Sequence, residues 1–170
     1  MTIIEEIAAR RSIREYAPRP VEKEKLARIL EAGRLAPTAR NQQDWRILIV
    51  SEPLLKERLI DEASPRQAFL KGAPLILAAC ALNPEYVMRC GHPAYLIDLA
   101  IVLEHIALQA VREGLGTCWI GSFDETKARG VLGVPAPVRI VELMSLGYPT
   151  RVPDPRERKP TQELYRWERW

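Results

Sequence analysis

The sequence is poor in the residues that most often hold metals or form disulfides. Its 170 residues include three cysteines and two histidines. Cys80, Cys90 and Cys118 are far apart and form no Cys-x-x-Cys pair, so neither a disulfide framework, a redox dithiol nor a zinc knuckle is expected. Cys90-Gly91-His92 offers a metal ion two ligands where a tetrahedral site needs three or four, and His105 lies in an apolar run. We therefore expect no metal site.

The sequence also has little excess of one charge and no very long apolar run, and we expect no secretory leader. No window approaches the roughly 20 apolar residues that span a bilayer. Met1–Glu6 has neither the basic start nor the small-residue cleavage site of a secretory signal. The formal net charge is +3, and basic residues alternate with acidic ones instead of forming a stripe. These absences argue against membrane and nucleic-acid partners, and we expect a cytoplasmic protein.

The length and composition suit one domain that spans residues 1–170. A chain of this size buries roughly 70% of its unfolded surface in a single core. Thr2 and Glu5 have the spacing of a capping box at the start of a first helix. Apolar periodicity predicts helices at 2–10, 20–37, 51–63 and 95–113 and strands at 47–50, 75–80 and 139–146. The tail 151–170 is rich in proline, charge and aromatics, and we expect it to form a C-terminal arm.

The segment from Tyr95 to about Glu113 is apolar on more than one face and contains neither proline nor glycine. A helix of this kind has to be covered on several sides. The sheet of the same chain can cover one side and a second copy the other, so we predict a homodimer built on this helix. The alternative is a central helix wrapped wholly by its own chain. Trp167 and Trp170 in the arm also favour packing against a neighbouring subunit, because such large apolar side chains are rarely left in water.

The segment Arg10–Arg14 places three guanidinium groups and a hydroxyl within five residues. Arginine presents a planar fork of donors that matches phosphate oxygens, and the hydroxyl of Ser12 can add a short hydrogen bond to the same group. This pattern indicates a phosphorylated ligand. The alternative is a solvated helix end, where the arginines lie beside the negative pole of the helix dipole.

A second polar segment, residues 36–45 with the sequence APTARNQQDW, runs into the apolar strand Ile47–Val50. Asparagine and glutamine carry both a donor and an acceptor, so they can match the edge of a pyrimidine-type ring, while Pro37 stiffens the backbone that holds them. The alternative is a solvated turn with ordinary Asx hydrogen bonds. Together with the arginines, the segment favours a flat phosphorylated heterocycle as ligand.

These two segments form an R-x-S-x-R element followed by a P-T-x-x-N-x-Q-x-W loop, and further motifs follow at 114–124 (GLGTCWIGSFD), 146–149 (LGYP) and 155–160 (PRERKP). On these motifs the chain resembles the nitroreductase family of FMN-dependent oxidoreductases over nearly its whole length. The resemblance implies an α+β, nitroreductase-like fold with a central, mostly antiparallel β-sheet flanked by helices. It also implies an intertwined homodimer with two FMN sites at the subunit interface.

The resemblance assigns the phosphate end of FMN to both ends of the chain. Arg10 and Ser12 match contacts on the phosphate side, and Arg11 contributes through its backbone or its side chain. Arg156 and Arg158 match basic residues that complete the phosphate site. Read without the resemblance, those two arginines fit a solvated charge run equally well.

The ring end of FMN is assigned in the same way. Arg14 matches the arginine at the N1–C2=O edge, where negative charge develops on reduction. The backbone of Trp119, Ile120 and Gly121 matches a segment that passes the ring, with the N–H of Gly121 near the reactive N5. Arg14 and Gly121 are therefore the predicted catalytic residues. The positions that approach the flavin from the partner subunit are Pro37, Thr38, Ala39 and Asn41.

The chain departs from the family pattern at a few positions. Asp44 stands where family members commonly have proline, which affects the stiffness of the loop and the charge near the substrate mouth. Gln43 and Trp45 are expected to support the loop, with Trp45 in the core. Arg66 or Gln67 is the nearest candidate for a further contact to the pyrimidine. A mid-chain insertion that often shapes substrate choice is missing.

The resemblance implies an oxidoreductase that takes hydride from NADH or NADPH through FMN and reduces nitroaromatic, quinone or similar small acceptors. If donor and acceptor share one face of the flavin, the kinetics are ping-pong. The scarcity of nucleophiles and acid-base pairs fits this chemistry, because the flavin itself carries the hydride. Two alternatives remain, an FMN-binding carrier or sensor without reductase turnover and a nucleic-acid-binding protein whose arginines contact phosphates.

Overall fold

The structure is a computed structural model that describes residues 3–170. The helices are α1 (Glu5–Ala9), α2 (Lys23–Arg34), α3 (Pro53–Ala63), α4 (Ala94–Arg112), α5 (Glu125–Leu132) and α6 (Thr161–Leu164). The strands are β1 (Trp45–Val50), β2 (Leu75–Ala81), β3 (Gly116–Ile120) and β4 (Arg139–Gly147). Short 3-10 helices cover Ala39–Asn41 and Pro65–Gly72.

The four strands form one antiparallel sheet in the order β1-β2-β4-β3. Leu77 of β2 pairs with Met144 of β4, and Trp119 of β3 pairs with Met144 from the other side. The free side of the edge strand β3 receives a short parallel bridge between Ser12 and Thr117. The predicted central, mostly antiparallel sheet is confirmed.

Helices cover both faces of the sheet, because the side chains of β2 alternate between the two faces. Leu77 packs on one face with Ile106 of α4 and with α2. Ile76 packs on the other face with Leu59 of α3 and with α5. Burial on both faces explains why β2 is an unbroken apolar run in the sequence. The predicted α+β arrangement of a sheet flanked by helices is confirmed.

Helix α4 is the long apolar helix that the sequence predicts. Gly33 of α2 lies so close to it that an added Cβ would stand 2.9 Å from Ile106 Cγ1. The opposite side of α4 is not covered by its own chain, since Leu96 and Ile97 are 46% and 44% exposed. The alternative of a helix wrapped wholly by its own chain is therefore wrong.

Helix α4 also corrects the expectation that no window approaches a membrane span. Its 19 residues are long and apolar enough to cross a bilayer by length and composition alone. Core helices meet the same criterion, and α4 packs against α2 and the sheet.

Other elements differ from the prediction at their ends or in kind. Helix α1 starts at Glu5, and the predicted capping residue Thr2 lies outside the described residues. Strand β3 and helix α5 were not predicted. Helix α5 begins because the carboxylate of Asp124 accepts the N–H of Lys127 at 3.0 Å, and it ends at Gly133 with φ of 65°.

Candidate functional site

The two basic segments of the sequence meet at one cleft, which we call the arginine cleft. Helix α1 ends at Ala9, and the chain then runs extended beside β3, where the N–H of Ile13 donates to the carbonyl of Thr117 at 2.9 Å. The arm returns from β4 to the same place. The cleft has a volume of about 270 Å³ and is lined by Ile7, Ala8, Arg10, Arg11, Ser12, Arg14, Pro153, Asp154, Pro155, Arg156 and Arg158.

The arginine cleft is strongly electropositive, because five arginines and one aspartate line it. Arg10 Nε lies 3.7 Å from Glu104 Oε1 of α4. The side chain of Arg11 is hydrogen-bonded to the backbone, since its Nη1 donates to the carbonyls of Ala8 and Arg10 at 2.8 Å each. Within residues 3–170, the other three arginines of the cleft form no ion pair, so their charges are available to an anion.

Arg14 lines the arginine cleft beside β3. Its guanidinium lies 5.8 Å from the ring centre of Phe69, in the 3-10 helix Pro65–Gly72. Burial raises the pKa of the Cys118 thiol, and the charge of Arg14 lowers it by less. Arg14 therefore lies at the arginine cleft, with its charge near Phe69 and Cys118.

A second opening at the end of β3, which we call the ring cleft, has a volume of about 390 Å³. Its walls are 63–66 and 121–124. The N–H of Asp124 donates to the carbonyl of Ala63 at 2.7 Å, and the hydroxyl of Ser64 donates to the carbonyl of Ser122 at 3.0 Å. Of the two candidates for a further contact, Arg66 lines the ring cleft and Gln67 does not.

The three residues predicted to pass the flavin ring, Trp119, Ile120 and Gly121, differ in their exposure. Trp119 is half-buried against the core and Ile120 is buried. Gly121 is the first exposed residue after the strand, and it lines the ring cleft. Only the backbone of Trp119 and Ile120 is therefore suited to pass a ligand, whereas Gly121 is open to one.

The loop that contains Pro37, Thr38, Ala39 and Asn41 is not brought to the arginine cleft within one chain. The N–H of Ala39 donates to Asp98 Oδ1 at 2.9 Å, which places the loop near the start of α4. Helix α1 instead lies along the second half of α4, where Arg112 pairs with Glu6. The expectation that the loop serves the flavin of a partner stays a prediction.

The loop is held in an unusual backbone conformation. Arg40, Asn41 and Gln43 have φ of 56°, 56° and 55°, a region that costs about 1 kcal/mol or more for a residue other than glycine. Gln43 supports the turn, since its N–H donates to Thr38 Oγ1 at 3.1 Å. Asp44 accepts from the amide of Asn83 at 3.2 Å, so a side-chain hydrogen bond tethers the loop at this position.

Trp45 is only partly in the core. Its ring packs on the cluster beneath α4, yet the residue is half-buried, and within residues 3–170 its buried Nε1 has no hydrogen-bond partner.

Two residues near the site are not identified by the sequence patterns. Asp98 anchors the loop through the N–H of Ala39, and Glu142 is a half-buried acid beside Gly121. Among residues 3–170 there is no group of three or more histidine, cysteine, aspartate or glutamate side chains that could hold a metal.

An α+β fold with an arginine-lined cleft and an open surface at a strand end is suited to a flat, phosphorylated ligand. Comparison with known proteins gives the family. The family model described as "Nitroreductase family" matches residues 7–65 and 61–148 of this chain. The chain therefore belongs to this family.

Relatives of known name and structure agree with this membership. The chain is 31% identical over 189 residues to a protein of Thermus thermophilus named "NADH dehydrogenase", and the match covers 93% of this chain and 92% of that protein. The crystal structure of a nitroreductase family protein from Clostridium novyi NT is 33% identical, with a TM-score of 0.79 over 88% of this chain and 86% of that one. An FMN-dependent nitroreductase from Clostridium difficile R20291 is 27% identical, with a TM-score of 0.86 over 99% and 100%.

The residues of the clefts suit FMN. A phosphomonoester dianion needs several charge-assisted donors, and the arginine cleft offers guanidinium groups and the hydroxyl of Ser12 in about 270 Å³. The flat isoalloxazine ring needs an open surface with accessible backbone, which the ring cleft offers at the exposed Gly121.

Proposed function

We propose that this protein uses FMN to take hydride from NADH or NADPH and to reduce nitroaromatic, quinone or similar small acceptors. Membership of the nitroreductase family makes it an NAD(P)H-dependent flavin oxidoreductase with FMN as cofactor. The observation that supports the proposal most directly is the meeting of Arg10 and Ser12 with Arg156 and Arg158 in one cleft. Two basic segments more than 140 residues apart in the sequence line the same anion site.

The arginine cleft binds the phosphate of FMN. Arg10, Arg156 and Arg158 supply charge, and Ser12 supplies a hydroxyl donor. Arg11 acts differently, because its side chain is bonded to the carbonyls at the end of α1. It shapes the backbone of the segment and adds positive charge.

The ring of FMN lies along the ring cleft. When bound, FMN supplies the hydride chemistry, and the protein orients it. Arg14 places a positive charge near the pyrimidine edge of the ring, and the N–H of Gly121 donates towards its N5 side. Arg66 extends from the opposite wall of the cleft.

The proposed site is completed by a second copy of the chain. Dimers are typical of the family. The uncovered side of α4, with Leu96 and Ile97, forms the centre of the interface, and the exposed Trp167 and Trp170 of the arm pack on the partner. Pro37, Thr38, Ala39 and Asn41 then reach the ring of the partner's FMN.

Donor and acceptor use the same open face of the flavin in turn, which gives ping-pong kinetics. We place the enzyme in the cytoplasm, with neither a membrane nor a nucleic acid as partner. Residues 151–170 act as an arm of the single domain 1–170, because all of them are exposed in one chain.

The proposal is tested with freshly purified protein. We expect a flavin absorbance spectrum, release of FMN on denaturation, and bleaching when NADH or NADPH is added without oxygen. Reoxidation by a quinone or a nitroaromatic compound then completes the cycle. Bound FMN that neither nucleotide bleaches would instead identify a carrier or a sensor, and a colourless protein that takes up no added FMN would contradict both.

A further inference from the structure

A carboxyl group with no assigned role lies at the open end of β3. Ile120 of β3 pairs with Leu143 of β4, so the next residues along, Gly121 and Glu142, face each other just past the end of the strand. On its other side Glu142 pairs with Ala79 of β2, the last pair before the register of β2 and β4 shifts. This register brings an acidic side chain next to the backbone proposed to contact the flavin ring.

The approach between Glu142 and Gly121 is close. A Cβ added to Gly121 would stand 3.6 Å from Glu142 Oε2 and 3.7 Å from Glu142 Oε1. Gly121 has no side chain to cover the carboxyl group on this side. It also borders both the ring cleft and a second opening lined by Tyr95 and Arg139. Glu142 itself lines neither opening, but a ligand seated where that Cβ would stand lies next to its carboxyl group.

The carboxyl group of Glu142 has little to stabilise its negative charge. Within residues 3–170 no lysine or arginine forms an ion pair with it. Burial raises the pKa of Glu142, and a hydrogen bond from the backbone of Ile120 lowers it by less. The nearest basic side chain on the same strand, Arg139, is already bonded to Glu125 through two hydrogen bonds of 2.6 and 2.5 Å.

The other titratable groups around Glu142 do not supply a compensating positive charge. On β3 the side chain of Cys118 packs on the other face of the sheet, and burial raises the pKa of its thiol. The residue opposite on β2 is Ala79, and Cys80 packs on the other face of the sheet, where burial also raises its pKa. From α4 the phenol of Tyr95 lines the neighbouring opening.

We propose that Glu142 takes up a proton when FMN is seated over Gly121, so that flavin binding is linked to proton uptake. This inference rests on the proposed function, which places the ring against the backbone of Gly121. The ring removes water from the carboxyl group, and desolvation without a cationic partner favours the neutral acid over the carboxylate. Bound protein therefore holds Glu142 as a carboxylic acid at pH values where the free protein holds it ionised.

The linkage is measured by comparing the parent with Glu142→Gln, an isosteric variant that cannot ionise. The dissociation constant of FMN is determined for both, from quenching of FMN emission by flavin-free protein, between about pH 5 and about pH 8. A group whose pKa is higher in the complex weakens binding as the pH rises. The parent should lose affinity relative to the variant by up to about tenfold per pH unit between the two pKa values of Glu142.

The ratio of the two dissociation constants isolates Glu142, because the phosphate of FMN ionises near pH 6 in both proteins and its effect cancels. Glu62→Gln, an exposed change on α3, is the matched control and should give a ratio that does not vary with pH. A flat ratio for Glu142→Gln, with FMN bound by both proteins, would overturn this inference and leave the proposed function standing. Failure of both proteins to bind FMN at any pH would overturn both.

A second measurement does not depend on the behaviour of the glutamine variant. The ¹³C resonance of the Glu142 carboxyl group is followed through a pH titration of the parent, without and with saturating FMN. The resonance is assigned as the one that Glu142→Gln or Glu142→Asp removes. Its midpoint should move to higher pH with FMN, and an unchanged or lower midpoint would contradict the linkage.

Discussion

Ile13 lies against the backbone of Gly116 at a distance that leaves no room for a side chain there. A Cβ added to Gly116 would stand 2.2 Å from Ile13 Cγ1 and 2.9 Å from Ile13 Cβ. Together with the hydrogen bond from Ile13 to Thr117, this contact holds the basic segment alongside β3. The position of Ser12 and Arg14 in the arginine cleft depends on it.

Gly116→Ala should therefore destabilise the fold. Overpacking of a buried site costs about 1 to 3 kcal/mol, and urea unfolding should show a loss of that size. Gly130→Ala is the matched control, because this helical glycine has nothing within 4 Å of an added Cβ. That variant should gain roughly 0.5 to 1 kcal/mol. Equal stability of the two variants would show that Ile13 moves aside freely.

Arg156→Ala and Arg158→Ala should each weaken the binding of FMN and not that of riboflavin. If these arginines bind the phosphate, each variant loses affinity for FMN and keeps the parent's affinity for riboflavin, which has no phosphate. A charge-assisted hydrogen bond contributes about 1.5 to 3 kcal/mol, so the loss should be roughly tenfold to a hundredfold. Fluorescence titration with both ligands measures it, and an equal loss for both would place the arginines elsewhere.

Arg14→Ala should weaken FMN binding or slow reduction of the flavin by NADH and NADPH. The expected change is about tenfold or more, since Arg14 supplies a positive charge at the ring edge. Stopped-flow mixing without oxygen gives the reduction rate, and titration gives the affinity. Arg58→Ala, which removes an exposed arginine paired with Glu62 on α3, is the control. A variant that matches the parent in both quantities would refute the role of Arg14.

Glu113 should stabilise the protein only above acidic pH. Hydrogen bonds from Arg28 hold its pKa at about 2, below the ordinary 4.5. A carboxyl group with a lowered pKa contributes stability above its unfolded value and loses it as the pH falls through the folded one. Glu113→Gln should therefore lower Tm at neutral pH, and the difference should close between about pH 4.5 and about pH 2.

Circular dichroism melts at several pH values test this dependence. Glu31→Gln removes the exposed ion pair with Arg34 and should change Tm less, because exposed pairs contribute little. A difference between the parent and Glu113→Gln that persists at the lowest pH would show that the effect is not ionic.

Ile97→Lys should convert a dimer to a monomer, because it places a charge on the uncovered side of α4. Sedimentation velocity should show a single species at half the mass, and FMN binding should weaken, since the loop would no longer reach the partner's flavin. Leu54→Lys changes an even more exposed apolar residue on α3, at 73% exposure, and should leave mass and binding unchanged. A dimeric Ile97→Lys protein with normal FMN affinity would contradict the proposed interface.

The sequence predicts the parts of the fold that have strong local patterns. The unbroken apolar run of β2 and the many-sided apolar helix α4 are both found where periodicity places them. The chemistry of Arg10–Arg14 and of 155–160 likewise predicts an anion site, and the structure brings these segments together. Clustered guanidinium groups indicate anion binding from their chemistry alone, whatever the fold around them.

The features that the sequence does not reveal depend on pairing between distant segments. Strand β3 is five residues long and starts with glycine, so its pattern is weak, and its place is set by β4 and by Ile13. Glu142 looks like an ordinary alternating residue of a strand, because its place beside Gly121 follows from the register, and a slip of one residue would turn it to the other face. Asp98 meets Ala39 only after α4 and the loop have packed.

The exposed arm gives this protein a natural optical reporter. Trp167 is 92% exposed in the single chain, whereas Trp45 and Trp119 are half-buried. An indole in water emits at longer wavelength than one packed against apolar neighbours. Dimerisation that buries Trp167 would thus shift the tryptophan emission to shorter wavelength. Dissociation of the dimer in a dilution series of unlabelled protein would shift it back to longer wavelength.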